Sequence, residues 1–164
     1  MHTVIVMKTE GYRQNVEGIV LNIAHKFDRA CYISFADPYH AVIQLIESVN
    51  VSKDKFIVIE SNGEIKETQI VNRFAYQVPI QDLFRVYLLL RNLIKSENVE
   101  HIVLDNISTL ILKHYELPLK EMLTNLLLEV GSFRCQSSLL VFKMHEDHEV
   151  LNHLKPMIAQ RIHI

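Results

Sequence analysis

Tryptophan is absent from this chain of 164 residues, and glycine and proline occur only four times each. With so few chain breakers, the sequence holds no linker or low-complexity tract, and no segment repeats another. Cysteine is scarcer still. Cys31 and Cys135 each sit beside apolar, strand-like sequence, which argues against a disulfide framework, and without a leader-like opening a reducing cytoplasm fits best. An excess of one charge is missing as well: 17 Lys plus Arg oppose 19 Asp plus Glu, for a net charge of −2. Signs are mixed along the chain and no basic run is present, so nucleic acid is not an expected partner. Apolar runs stop far short of the ~18 to 20 residues that span a bilayer, so no membrane partner is expected either. Three catalytic signatures are lacking: the Gly-x-Ser-x-Gly elbow, the dinucleotide Gly-x-Gly-x-x-Gly and the redox Cys-x-x-Cys. The acidic pair that a receiver domain carries after its first strand is replaced by Met7-Lys8.

What is present is apolar content, 49% of the chain, enough to bury a substantial core in one domain over residues 1–164. Apolar, β-branched runs recur as TVIVM, ACYISF, FIVIE, HIVLD and SSLLVF, with a short RIHI closing the chain. Helical patterns separate them. Val16, Ile19, Val20, Ile23, Ala24 and Phe27 form one stripe at helical spacing. Leu119, Met122, Leu123, Leu126, Leu127 and Val130 form another, which Gly131 is placed to stop. In DPYHAVIQLIESV, Asp37 is the expected N-cap and Pro38 the first helical residue. The segment QDLFRVYLLLRNLI is apolar over much of its circumference, which suits a helix sandwiched in the fold or lying at an interface. Continuously hydrophobic strands alternating with helices predict an α/β three-layer sandwich with a mostly parallel sheet. Asn62-Gly63 is where a tight antiparallel hairpin is expected to turn.

Such sheets bind ligands in the loops after their strands. The first of these, Met7 to Asn15, joins a strand to a helix as a phosphate-binding loop does, and it offers Lys8, Gly11 and Arg13. It has a single glycine and no Gly-Lys-Ser/Thr ending, so an ordinary strand-to-helix connection remains the plain alternative. Glu10 and Glu17 lie at or near the place a phosphate would take, and acidic groups in a first helical turn already satisfy its positive end. HIVLDN has the form of a Walker B strand whose aspartate, Asp105, holds magnesium-bound water, although many α/β strands end in an aspartate that only caps a helix. Asp37, at the end of the second strand, is fully accounted for as an N-cap. In MHEDHEVLNH, helical spacing would bring His145 and His148 together near Glu149, but no second motif supplies ligands, and a solvated face is the reading preferred to a metal site.

Together these segments resemble the RecA/KaiC-like ATPase superfamily, above all its small archaeal KaiC-like members. RACYISFADPYHAVIQLIESVNVSKDKFIVIES is similar to their second strand, following helix and third strand. VEHIVLDNISTLIL resembles their Walker B strand with its trailing Ser-Thr-Leu, and SSLLVFKMHEDHEVLNHLKPMIAQRIHI their closing strand, helix and edge strand. The resemblance implies a RecA-like P-loop NTPase core topology, with ATP and magnesium held between the first loop and Asp105. Here Met7 to Asn15 departs from the family's Walker A motif throughout, and Ala36-Asp37 stands where a glutamate pair is expected. Lys8, Gly11, Arg13, Asp37 and Asp105 are therefore expected at most as remnants of a nucleotide site, with no catalytic residue, no metal and no cofactor beyond weakly bound ATP and magnesium. RecA-like domains also associate side by side, which implies a protein partner or self-association.

Overall fold

The computed structural model describes all residues, 1–164. Fourteen elements matter here, eight strands and six helices, and they largely alternate as the sequence patterns require. β1 (His2–Met7) leads into α1 (Tyr12–Lys26), β2 (Ala30–Ser34), α2 (Tyr39–Ser48) and β3 (Phe56–Glu60). The antiparallel pair β4 (Gln69–Asn72) and β5 (Ala75–Gln77) follows, then α3 (Leu83–Ser96), β6 (His101–Asp105), α4 (Ile107–Lys113) and α5 (Glu116–Ser132). The chain continues with β7 (Gln136–Phe142), α6 (Glu149–Leu154) and β8 (Gln160–His163).

The strands form one sheet in the order β4-β5-β3-β2-β6-β7-β1-β8, parallel throughout except for β4 against β5. Side chains alternate across it. Val4, Ile33, Ile57, Ile102, Leu139 and their neighbours meet α3, α5 and α6 on one face in the larger core. Ile5, Met7, Tyr32, Val58 and Val103 meet α1 and α2 on the other. This is a three-layer α/β sandwich with RecA-like P-loop NTPase core topology. β2, β3 and β6 are buried along their whole length, as expected of strands covered on both faces.

The α5 stripe is buried at all six expected positions. In α1, Val16, Val20, Ile23 and Ala24 are buried while Ile19 and Phe27 pack at the margin. The apolar segment after Asp82 is α3, which buries one face, Leu83, Val86, Leu90, Leu93 and Ile94, and leaves Phe84 exposed.

Several local expectations are corrected. Asp37 does not cap α2: the helix begins at Tyr39 with Pro38 as its cap residue, and no side chain caps it. Asp37 instead closes a loop in which its N–H donates to Ser34 Oγ and its carbonyl accepts from the Ser34 hydroxyl, both at 2.9 Å. Gly131 does not stop α5, which runs on to Ser132, and Arg134 takes the left-handed conformation at φ 57. The hairpin turns at Asn72 to Ala75 rather than at Asn62-Gly63. Asn62 is drawn into side-chain bonding instead, donating from Nδ2 to Glu60 Oε1 at 2.8 Å and accepting the Glu64 N–H at 3.0 Å. His145 and His148 do not share a helix face: His145 closes a short 3-10 turn, while His148 caps α6 by accepting the Val150 N–H. No helix is long and apolar enough to cross a membrane.

Candidate functional site

The parallel sheet sends the carboxyl ends of β1, β7, β6 and β2 to one edge, where α1 begins. Gly11 permits that beginning. Its φ of 73 lies in the left-handed region, so the chain turns sharply from the β1 end and enters α1 at Tyr12. Side-chain alternation then puts Asp105 on the same face as Val103, toward α1.

Asp105 is buried, and both carboxylate oxygens are taken: Oδ1 accepts the Tyr12 hydroxyl and Oδ2 accepts the Tyr32 hydroxyl. Tyr12 is the first residue of α1, and its ring stands edge-on to Phe142 at 5.3 Å between centroids. Phe142 ends β7, the strand lying between β1 and β6. Tyr12 therefore crosses the end of β7 and fills the interval between the first loop and Asp105 with an aromatic ring. Tyr32 reaches the same carboxylate from the middle of β2, where burial obliges its hydroxyl to find a partner.

Burial pushes the Asp105 carboxyl up to about 6, against the hydrogen bonds from Tyr12 and Tyr32 that favour its ionised form, and the nearby charge of Asp37 adds to the rise. Burial, reinforced by the Asp105 charge, raises both phenols well above their ordinary value. Both therefore stay protonated and donate.

Other expected site residues are not drawn into this cluster. Lys8 and Gly11 are exposed. Arg13 points along the helix surface, its Nε 3.3 Å from Glu17 Oε1. Asp37 is exposed on the β2 to α2 loop, near enough to act on Asp105 only through its charge. No acidic residue occupies the first turn of α1, which corrects the expectation for Glu10 and Glu17: Glu10 precedes the helix, and Glu17 serves Arg13 and the Ser48 hydroxyl. The first side chain of the helix is the neutral Tyr12. These residues do not fit a magnesium-bound triphosphate, because the buried carboxylate nearest the loop, Asp105, has both oxygens hydrogen-bonded and the loop converges no cation on the helix start.

Beside Asp105, a row of polar residues crosses the sheet edge in register: Gln77 opposite Glu60, Glu60 opposite Ser34, Ser34 opposite Asp105. Glu60 is buried, held by Asn62 Nδ2 and Gln77 Nε2, each at 2.8 Å. Sequence patterns did not reveal Tyr12, Tyr32 or Glu60. A tyrosine inside the buried run ACYISF was the available signal, since its hydroxyl needs a mate.

The fold and site thus define a three-layer α/β sandwich of RecA-like topology in which the aspartate that ends β6 is closed by two tyrosines. Among solved structures, the chain is similar to a KaiC-like protein from the hyperthermophilic archaeon Pyrococcus horikoshii OT3, with a TM-score of 0.61 and 11% identity over 86% of this chain. It spans 60% of that structure's length. No family model matches the sequence, and no curated protein matches it.

Proposed function

We propose that residues 1–164 form a RecA/KaiC-like module that does not hydrolyse nucleotide and works through protein contacts, in a regulatory or assembly role. The observation that carries this reading is the double hydrogen bond from Tyr12 and Tyr32 to Asp105. A magnesium site needs carboxylate lone pairs turned toward the ion or its water, and here both oxygens face phenols. A phosphate site needs open space and N–H groups before the helix, and here the Tyr12 ring stands there. The fold alone confers no activity.

Isothermal calorimetry with ATP and with GTP, each with magnesium, tests the reading. The expected result is no measurable heat of binding for the wild-type chain. Micromolar binding that disappears in Asp105→Ala would overturn it and favour a divergent NTPase gripping phosphates through Lys8, Arg13 and the backbone around Gly11.

A further inference from the structure

The corner where the start of α3 meets the α4 to α5 turn leaves an unusual amount of large apolar surface in water. Phe84 is 66% exposed, Leu112 73%, Tyr115 89% and Leu117 66%. Phe84 and Tyr115 line one depression, and Leu112 and Leu117 lie three and two residues from Tyr115 in the chain, unlike isolated surface leucines. Beside Tyr115 lies a depression of about 590 Å³, lined by Leu83, Phe84, Tyr87, Pro118 and Met122 together with Tyr115 itself. The protruding ring and a hollow large enough for a ring therefore share one face.

The charges on this face are paired in kind as well. Lys113 and Glu121 both line the depression and both are exposed. Neither takes part in any ion pair within the chain. Asp82, by contrast, is already held by Arg85 Nε at 2.9 Å. One free base and one free acid beside one knob and one hole make a surface that complements itself. A two-fold contact requires that property, because each patch must meet its own copy. A surface shaped for a strongly charged foreign partner would present one sign of charge.

We propose that this corner is a self-association surface whose occupant is a second copy of this chain. Tyr115 of each copy enters the depression of the other, and Lys113 faces Glu121 of the partner subunit. Phe84, Leu112 and Leu117 close around the two rings and exclude water. Tyrosine is the expected anchor, because it buries a large ring at small entropic cost. The inference deepens the protein-contact reading above by naming the partner.

Sedimentation velocity over a wide concentration range tests it. The wild-type chain is expected to pass from monomer to dimer as concentration rises. Tyr115→Ala, Lys113→Glu and Glu121→Lys are each expected to weaken association about tenfold or more. Mixing the Lys113→Glu chain with the Glu121→Lys chain restores opposite charges at both contacts, and should return the dimer. All three changes lie on exposed side chains, and thermal unfolding followed by circular dichroism checks that each variant folds. A wild-type chain that stays monomeric throughout overturns the proposal. So do variants that dimerise unchanged, and so does a mixture that fails to recover. Nucleotide binding measured on the same samples separates the two claims: a chain that binds ATP yet dimerises through this corner sinks the reading above and leaves this inference standing.

Discussion

At the scale of single residues, Asp105 is the point where an active site and a structural lock diverge. A carboxyl held near pH 6 rather than at its ordinary 3.8 costs folding up to about 3 kcal/mol once it is ionised in both states. Replacing it with asparagine removes that buried charge while leaving groups that can bond the phenols. Asp105→Asn is therefore expected to raise stability at pH 8 by roughly 1 to 3 kcal/mol, measured by urea unfolding. Tyr12→Phe does the opposite, because one carboxylate oxygen loses its donor in a buried setting. It should destabilise by about 1 to 3 kcal/mol at pH 8, and by less at pH 4, where the carboxyl is neutral. A loss in Asp105→Asn as large as that in Tyr12→Phe would contradict the lock. The sequence made Asp105 legible, because an apolar run ending in aspartate identifies the end of a core strand. Its partners were not legible: Tyr32 and Tyr12 stand 73 and 93 residues away in the chain, one brought in by the pairing of β2 with β6 and the other by β7, which pairs with both β1 and β6.

Elements were legible in proportion to how much of their identity lies in periodicity. The six-residue α5 stripe is a repeated local signal, and all six positions are buried. Ends and turns depend on what neighbouring strands offer, which no local pattern contains. Asn62-Gly63 is suited to a hairpin turn, but Asn62 is bound to the buried Glu60 carboxylate, so the chain turns back only after β4. Helix starts repeat the point. Asp37 has the form of an N-cap and caps nothing, since Ser34 claims its backbone. Asp82 does cap α3, accepting the Arg85 N–H at 3.0 Å. The two residues should part under mutation. Asp82→Ala is expected to cost about 1 kcal/mol in urea unfolding, while Asp37→Ala should fall within about 0.5 kcal/mol of wild type. Equal losses would mean that Asp37 supports α2 in a way its hydrogen bonds do not reveal.

Across the whole molecule, the fold is shared with the Pyrococcus horikoshii structure at only 11% identity, so the architecture does not depend on matching individual side chains. The same sheet sets the pH response. β6 holds two buried titratable groups at its opposite ends, His101 at the start and Asp105 at the finish. Burial pushes the His101 imidazole down to about 4 and the Asp105 carboxyl up to about 6. Between about pH 4 and 6.5 the unfolded chain carries a proton on His101 that the folded chain lacks, so this group makes stability rise with pH. Between about pH 4 and 6 the folded chain carries a proton on Asp105 that the unfolded chain lacks, so that group makes stability fall as pH increases. Each contributes a slope of up to about 1.4 kcal/mol per pH unit, and the two oppose. In the wild-type chain they largely cancel, leaving His2 and His114, whose imidazoles burial also lowers, to tilt the profile gently upward. Asp105→Asn removes the falling component alone. Its stability should climb by about 2 to 3 kcal/mol more than the wild type's between pH 4 and 6.5, read from urea unfolding at half-unit intervals. Parallel profiles for the two chains would contradict a carboxyl whose burial outweighs its tyrosine hydrogen bonds.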